Sequence, residues 1–217
     1  MKRVEYSTMS GVTVPLEKQN KRKMQAEATK ARIFKSAQDL IRQHGYDGTS
    51  VEMICRRARV SKGAFYHHFS SKSGLIVEGY SICDRYFDDH VAGKLEATTT
   101  EEKLVEFIRY QLEYAVETGV DLIKQLYKSQ IDHGTAFFIS DERSLPTILR
   151  GLVKDGQNRG ELKEGYSADY ISHFLLRFSR GLIYDWCLHE GAYDLVNEGV
   201  EASRRVAGIF CRTSSPA

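Results

Sequence analysis

A cluster of hydrogen-bond donors lies between Ser61 and Lys72. Lys62, Tyr66, His67 and Lys72 carry ammonium, phenol and imidazole groups, while Gly63 and Ala64 carry almost no side chain. Donors of this kind suit phosphate oxygens and base edges, and small residues let a backbone approach a base closely. The spacing sorts them onto one face. At about 100° per residue, turning Phe65 and Phe69 toward a core sends Gly63, Ala64 and His67 the other way. Tyr66 falls to one side, and Lys62 stands at the helix start. The outward face is small, polar and basic, as recognition of a polyanion requires.

Other chemistry finds less support. His67 and His68 are neighbours in sequence, and adjacent helical residues do not share a face, so a metal pair is not expected. Cys187 and His189 have no second ligand pair near them to complete a zinc site. No His-Glu-x-x-His, phosphate-binding glycine loop or nucleophile elbow occurs. The expectation is a chain that is not an enzyme and takes neither metal nor cofactor.

The elements that must hold this face are helices. Ile33, Phe34, Ala37, Leu40 and Ile41 recur at helical spacing, and Gly45 is a natural stop. Thr49 and Ser50 open a second helix with Val51, Ile54, Cys55 and Ala58 on its buried stripe. Ser61 caps a third, and the tight turn around Arg59 and Val60 joins the two. This is the layout of a helix-turn-helix, whose second helix enters the major groove of double-stranded DNA. A long fourth helix begins near Ser73. Beyond Gly93 helices are expected over 101–118, 120–131, 146–159, 167–189 and 194–210, with a loop at 134–144. No run reads as an alternating strand, so the fold class expected is all-α. The expected divisions are a flexible basic tail over 1–24, a DNA-binding domain over 25–72, and a helical regulatory and dimerisation domain over 73–217.

Composition agrees. A content of 41% hydrophobic and 28% charged residues suits a packed globular chain rather than a disordered one. No apolar run of membrane-spanning length exists, and four scattered cysteines without a CxxC pair suit free thiols in the cytoplasm. Net charge is only +2. Yet residues 1–75 carry +9 and residues 76–217 carry −7, which puts the polyanion-binding role in the first part.

The run from Gly45 to Leu75 resembles the signature of TetR-type regulators. The most specific parts are Val60-Ser61-Lys62-Gly63, Phe65-Tyr66, His68-Phe69, Lys72 and Leu75. The resemblance implies that Thr49 and Ser50 touch phosphate at a helix start. It implies that Lys62, Gly63 and Ala64, just after Ser61, read bases, and that Tyr66, His67 and Lys72 contact phosphates. The Lys21–Lys23 cluster matches no motif position and is a weaker candidate for a backbone-contacting arm. Two departures stand out. Cys55 replaces the usual alanine in the second helix, and Arg59 replaces the usual glycine of the turn.

For the larger domain the resemblance implies a homodimer on a palindromic operator and a small-molecule effector. Phe107, Tyr110 and Tyr114 fall along one face of the 101–118 helix. With Phe174, Phe178 and Trp186 of the 167–189 helix they are the expected lining of an apolar or aromatic ligand pocket. The acidic balance disfavours an anionic ligand unless Arg109, Arg177 or Arg180 is buried there. Ile171, Phe174, Leu175, Phe178, Leu182, Ile183 and Trp186, with Val196, Val200, Val206, Ile209 and Phe210, exceed what one buried stripe needs, which predicts dimerisation through the last two helices. The competing expectation is a filled core with an exposed apolar patch that recruits a protein partner.

Overall fold

The computed structural model describes residues 6–9, 12–133 and 138–212. The described chain begins with a short antiparallel hairpin, β1 (Tyr6–Met9) and β2 (Val12–Pro15), in which Ser7 pairs with Val14 and Thr8 with Thr13. Nine helices follow among the described residues: α1 (Leu16–His44), α2 (Val51–Ala58), α3 (Lys62–His68), α4 (Gly74–His90), α5 (Thr100–Thr118), α6 (Val120–His133), α7 (Ser144–Asn158), α8 (Ala168–Leu188) and α9 (Leu195–Gly208). The fold is all-α apart from the hairpin. The chain divides into two compact units, Met1–Leu75 and Ile76–Ala217, with the divide in the first turn of α4.

The expected flexible tail over 1–24 is corrected for most of its length. Residues 1–5, 10 and 11 lie outside the described residues, but the hairpin and the first turns of α1 occupy the rest. Lys21, Arg22 and Lys23 are exposed residues on α1 rather than an arm before it. Apolar periodicity missed this stretch because the side chains described in it, those of residues 20–24, are exposed, Met24 among them. Leu, Glu, Lys, Gln, Arg, Met and Ala dominate it, and such strong helix formers extend a helix already anchored further along. The anchor is the expected stripe of Ile33, Phe34, Ala37, Leu40 and Ile41, all buried.

In the first unit capping groups meet the end of α1 and the starts of α2, α3 and α4. Gly45 stops α1 at φ 73°, and its N–H donates to the Ile41 carbonyl (2.8 Å). Ser50 accepts from the Met53 N–H (3.2 Å), and Ser61 accepts from the Ala64 N–H (3.1 Å). Ser71, rather than Ser73, accepts from the Gly74 N–H that opens α4 (3.1 Å). The Arg32 guanidinium reaches across from α1 and donates to the last carbonyl of α2, Ala58 (3.0 Å).

In the second unit α5 packs on α9 and α7, while α8 packs on α7, α6 and α9. The Phe87 and Phe107 rings lie 5.0 Å apart in its core, with Leu104, Ile108, Leu112, Leu149 and Ile171 fully buried around them. Thr99 and Glu102 form a capping box at the start of α5. Leu162 pairs with Cys211 in an isolated bridge that ties down the end of the described chain. Among the described residues, no helix is long and apolar enough to cross a membrane.

Among the described residues of the first unit, the turn between α2 and α3 contains the one left-handed non-glycine residue. Arg59 sits at φ 53°, ψ 50°, and its N–H closes onto the Arg56 carbonyl. A side chain in that conformation costs on the order of 1 kcal/mol. Arg59→Gly is therefore expected to raise the stability of this unit by about 1 kcal/mol, less the entropy of the freer unfolded chain. Urea unfolding followed by circular dichroism reads the change; a loss of stability would show that the guanidinium makes a compensating contact.

Candidate nucleic-acid interface and cavity

Burial sets the rotation of α3. Phe65 is fully buried and Phe69 nearly so, with their ring centroids 5.5 Å apart. Lys62, Gly63, His67 and Tyr66 are all exposed, Tyr66 to 54%, while Ala64 is half-buried. The Tyr66 ring stands edge-on to Phe65 at 5.4 Å, leaving its hydroxyl end in solvent. His68 turns partly inward, and burial, with His67 and Lys30 nearby, holds its imidazole below the usual value. The outward face thus contains the expected residues, side by side on one short helix.

Three expected contact residues are placed differently. Thr49 is only 1% exposed, and its hydroxyl donates to the Gly45 carbonyl (2.8 Å). It closes the loop between α1 and α2, and its side chain does not face a phosphate, so that expectation is corrected. Ser50 is half-buried and occupied as the cap of α2. Lys72 lies in the turn before α4, where its ammonium donates to the carbonyls of Tyr46 (2.9 Å) and Thr49 (3.2 Å) and rests over the Tyr46 ring (4.1 Å). It braces the α1–α2 loop, and an ammonium with three donors has one left over.

One residue of this surface escaped the sequence reading. Glu52, in the first turn of α2, forms an ion pair with Lys62. Each holds the other charged: the Lys62 ammonium keeps the Glu52 carboxyl below the usual carboxylate range, and Glu52 raises Lys62. Nothing in the spacing signals a pair ten residues apart on two helices. It arises only because both residues stand in the first turns of helices joined by a tight turn.

The second unit contains a partly enclosed cavity of about 60 Å³. Tyr80 and Cys83 of α4, Gln111 and Tyr114 of α5, Tyr127 of α6 and Ile183 of α8 contribute to its wall, together with Phe138, Arg143 and Arg180. Its phenols are fastened to backbone: Tyr80 donates to the Leu126 carbonyl (2.9 Å), Tyr127 to Arg180 (2.8 Å) and Tyr114 to Gly79 (3.3 Å). Burial pushes the Tyr114 and Tyr127 phenols well up and the Cys83 thiol up to about 12, so all three stay neutral. Arg143 is neutralised by a two-pronged pair with Asp84 (3.0 and 2.9 Å).

Of the six residues expected to line a pocket, Tyr114 is the one that lines this cavity. Phe107, Tyr110 and Tyr114 do share a face, but α4 covers most of it: Phe107 packs on Phe87, and Tyr110 on Tyr86 at 6.5 Å. Phe174 stands edge-on to Phe210 (5.3 Å), Phe178 is half-buried elsewhere on α8, and Trp186 is buried beside Gly191. These rings are packing. The lining residues that the sequence did not reveal come mainly from α4, α6 and the residues around the start of α7, with Gln111 and Ala115 from α5 and Ile183 from α8.

A short helix with a basic, ring-bearing outward face, held by a capped tight turn on two supporting helices, defines a DNA-binding helix-turn-helix. Comparison with known proteins extends this. Residues 33–78 match the profile of bacterial regulatory proteins, tetR family. The TetC protein of transposon Tn10 from Escherichia coli is 29% identical over 108 residues, half of this chain and 55% of the TetC length. The transcriptional repressor BepR of Brucella suis is 24% identical over 90% of this chain and 96% of its own. Among solved structures, SmeT in complex with triclosan superposes with a TM-score of 0.62 at 19% identity, covering 86% of this chain and 93% of SmeT. The DNA-binding segment matches the tetR family of bacterial regulatory proteins, and along 90% of its length the chain is similar to a transcriptional repressor.

Two outcomes test the surface. Removing the charge that competes for Lys62, by Glu52→Gln, is expected to strengthen DNA binding roughly fivefold at low salt in a fluorescence titration; unchanged affinity would mean that Lys62 does not meet DNA. Lys72→Met is expected to destabilise the first unit by roughly 1.5–3 kcal/mol, because two carbonyls lose an ionic donor. It is also expected to lower the slope of log affinity against log salt by about one. A stability loss with an unaltered slope would confine Lys72 to bracing.

Proposed function

We propose that the chain acts in the cytoplasm as a homodimeric repressor that holds a palindromic operator through α3 and releases it when a small molecule enters the second unit. The observation that carries this reading is the exposure of Lys62, Gly63, Tyr66 and His67 on one side of α3 while Phe65 and Phe69 are buried on the other. Ala64, half-buried at the edge of that face, completes the base-reading trio with Lys62 and Gly63. Tyr66, His67 and the spare donor of Lys72 supply phosphate contacts, and Ser50 and Ser61 position the helices that present them.

Dimerisation finds support in unfinished burial. On α8 Tyr184 and Leu188 are exposed, and Leu182 and Phe178 are half-buried; Val196, Val200 and Val206 on α9 are half-buried, and Ile209 just after it is exposed. A two-fold contact would cover such positions from both copies and set two α3 helices about one turn of DNA apart. The ligand-responsive part rests on the cavity. SmeT, similar in fold, is known with triclosan bound, and a ring-lined cavity here suits a small apolar or aromatic molecule. Such a molecule shifts the DNA-bound population only if it prefers one arrangement of the protein. α4 provides the continuous chain between the two units.

The test is an operator selected from random duplexes. Tyr66→Ala is expected to lower affinity for it about tenfold or more, with little change in fold by circular dichroism. Light scattering should give a dimer at micromolar concentration. If Tyr66→Ala binds normally, the face assignment is wrong. If hydrophobic metabolites never release the operator, the second unit answers to a protein partner instead.

A further inference from the structure

The cavity contains two polar groups that the protein itself leaves unanswered. The first is Arg180. Among the described residues it has no ion pair, although it is half-buried on α8 and lines the cavity. Its guanidinium rests on the Phe138 ring at 5.3 Å. The other cavity arginine, Arg143, is matched by Asp84, and no carboxylate belongs to the lining. Asp141, the acid whose charge bears on Arg180, is already engaged by His173 (2.9 Å) and Arg150 (3.4 Å). The cavity therefore has one uncompensated positive charge. Burial, with Arg143 and Arg177 nearby, pulls Arg180 below its usual value, which is the electrostatic mark of a cation short of an anion.

The second group is the side-chain oxygen of Gln111. This residue is 8% exposed, lines the cavity from α5, and its Oε1 has no hydrogen-bond partner. A buried acceptor costs about 1–3 kcal/mol unless a water or a ligand supplies the donor that the protein does not. Between the two groups the wall is aromatic. Phe138 is packed edge-on against Tyr80 (5.7 Å) and Tyr127 (5.3 Å), and fills the space under Arg180. The remaining 60 Å³ is smaller than a cavity of roughly 150 Å³ that admits benzene, so an aromatic occupant must move the Phe138 ring and take its place.

Building on the reading of this cavity as an effector site, we infer that the effector is a small aromatic carboxylic acid. Its carboxylate pairs with Arg180, its ring replaces that of Phe138 between Tyr80 and Tyr127, and a hydroxyl or amino group on the ring donates to Gln111 Oε1. The acidic balance of the second unit argues against an anionic ligand only from a distance. Inside the cavity the local charge is reversed.

Calorimetry on the full chain tests this with benzoate, hydroxybenzoates and their uncharged amides as probes. The acids are expected to bind at least about 30-fold more tightly than the matched amides, the scale of a desolvated charge pair. Arg180→Met should abolish that preference, and Arg180→Lys should keep part of it. Gln111→Leu should leave the preference for acids intact and remove the advantage of hydroxybenzoate over benzoate. It should also raise the melting temperature of the ligand-free protein. Phe138→Ala should improve binding of every acid in the panel. Amides that bind as well as acids, or an acid preference that survives Arg180→Met, would overturn the acid assignment while leaving the cavity an effector site. If neither acids nor amides bind, this inference falls, and release of the operator by uncharged hydrophobic compounds then decides separately whether the cavity is an effector site at all.

Discussion

The DNA-facing surface depends on the burial of two phenylalanines one turn apart. α3 has only seven residues, too short to hold its own conformation in water. Phe65 and Phe69 anchor it, each ring contributing on the order of 1.5–3 kcal/mol by leaving water. Their placement leaves α3 no freedom to roll, so the identity of the outward residues follows from the identity of the inward ones. The Ser61 cap fixes where the helix starts, and Arg59, left-handed between α2 and α3, fixes the angle of approach. Lys72 then ties the following turn back to Tyr46 and Thr49. The exposed face of α3 is in this way determined almost wholly by contacts on its buried side.

The second unit solves a different problem. Its helices are apolar on more than one side, and most rings are used to close helix against helix. Gly156 permits α7 to come against Thr100 at the start of α5, where any side chain would collide with Thr100 at 2.5 Å. Glu161 then accepts from the Thr100 N–H (2.6 Å) and from Arg159 (2.6 Å) at the same junction. The cavity lies toward the other end of α5, around Gln111, Tyr114 and Ala115, where side chains of α4, α6 and α8 meet without filling the volume between them.

The helix-turn-helix was legible because its signals are local. Caps, the i and i+4 phenylalanines, and the charge of the first 75 residues are each readable within a few residues. Thr49 was misplaced because a hydroxyl at a helix start reads the same whether it faces a phosphate or closes the preceding loop onto Gly45. The Glu52–Lys62 pair was invisible because it joins two helices. The start of α1 was missed because exposed helix formers have no apolar period, and the hairpin because Val12 and Val14 are too short a run to stand against a polar background. The cavity was the least legible part. Rings at helical spacing indicate a buried face but not what covers it, and Phe107, Tyr110 and Phe174 proved to be covered by protein. Arg180, by contrast, was one of three arginines named as able to reverse the charge, and only the fold could choose among Arg109, paired with Glu113 (2.8 Å), exposed Arg177, and Arg180 itself.

Cys83 gives this cavity a chemical character beyond its shape. A thiol reacts as its anion, and burial has lifted this one to about 12, so almost none is ionised near neutrality. As a neutral thiol the residue contributes a small, weakly polar surface to the cavity wall. The cavity wall therefore carries no thiolate near neutrality to offset the charge of its arginines.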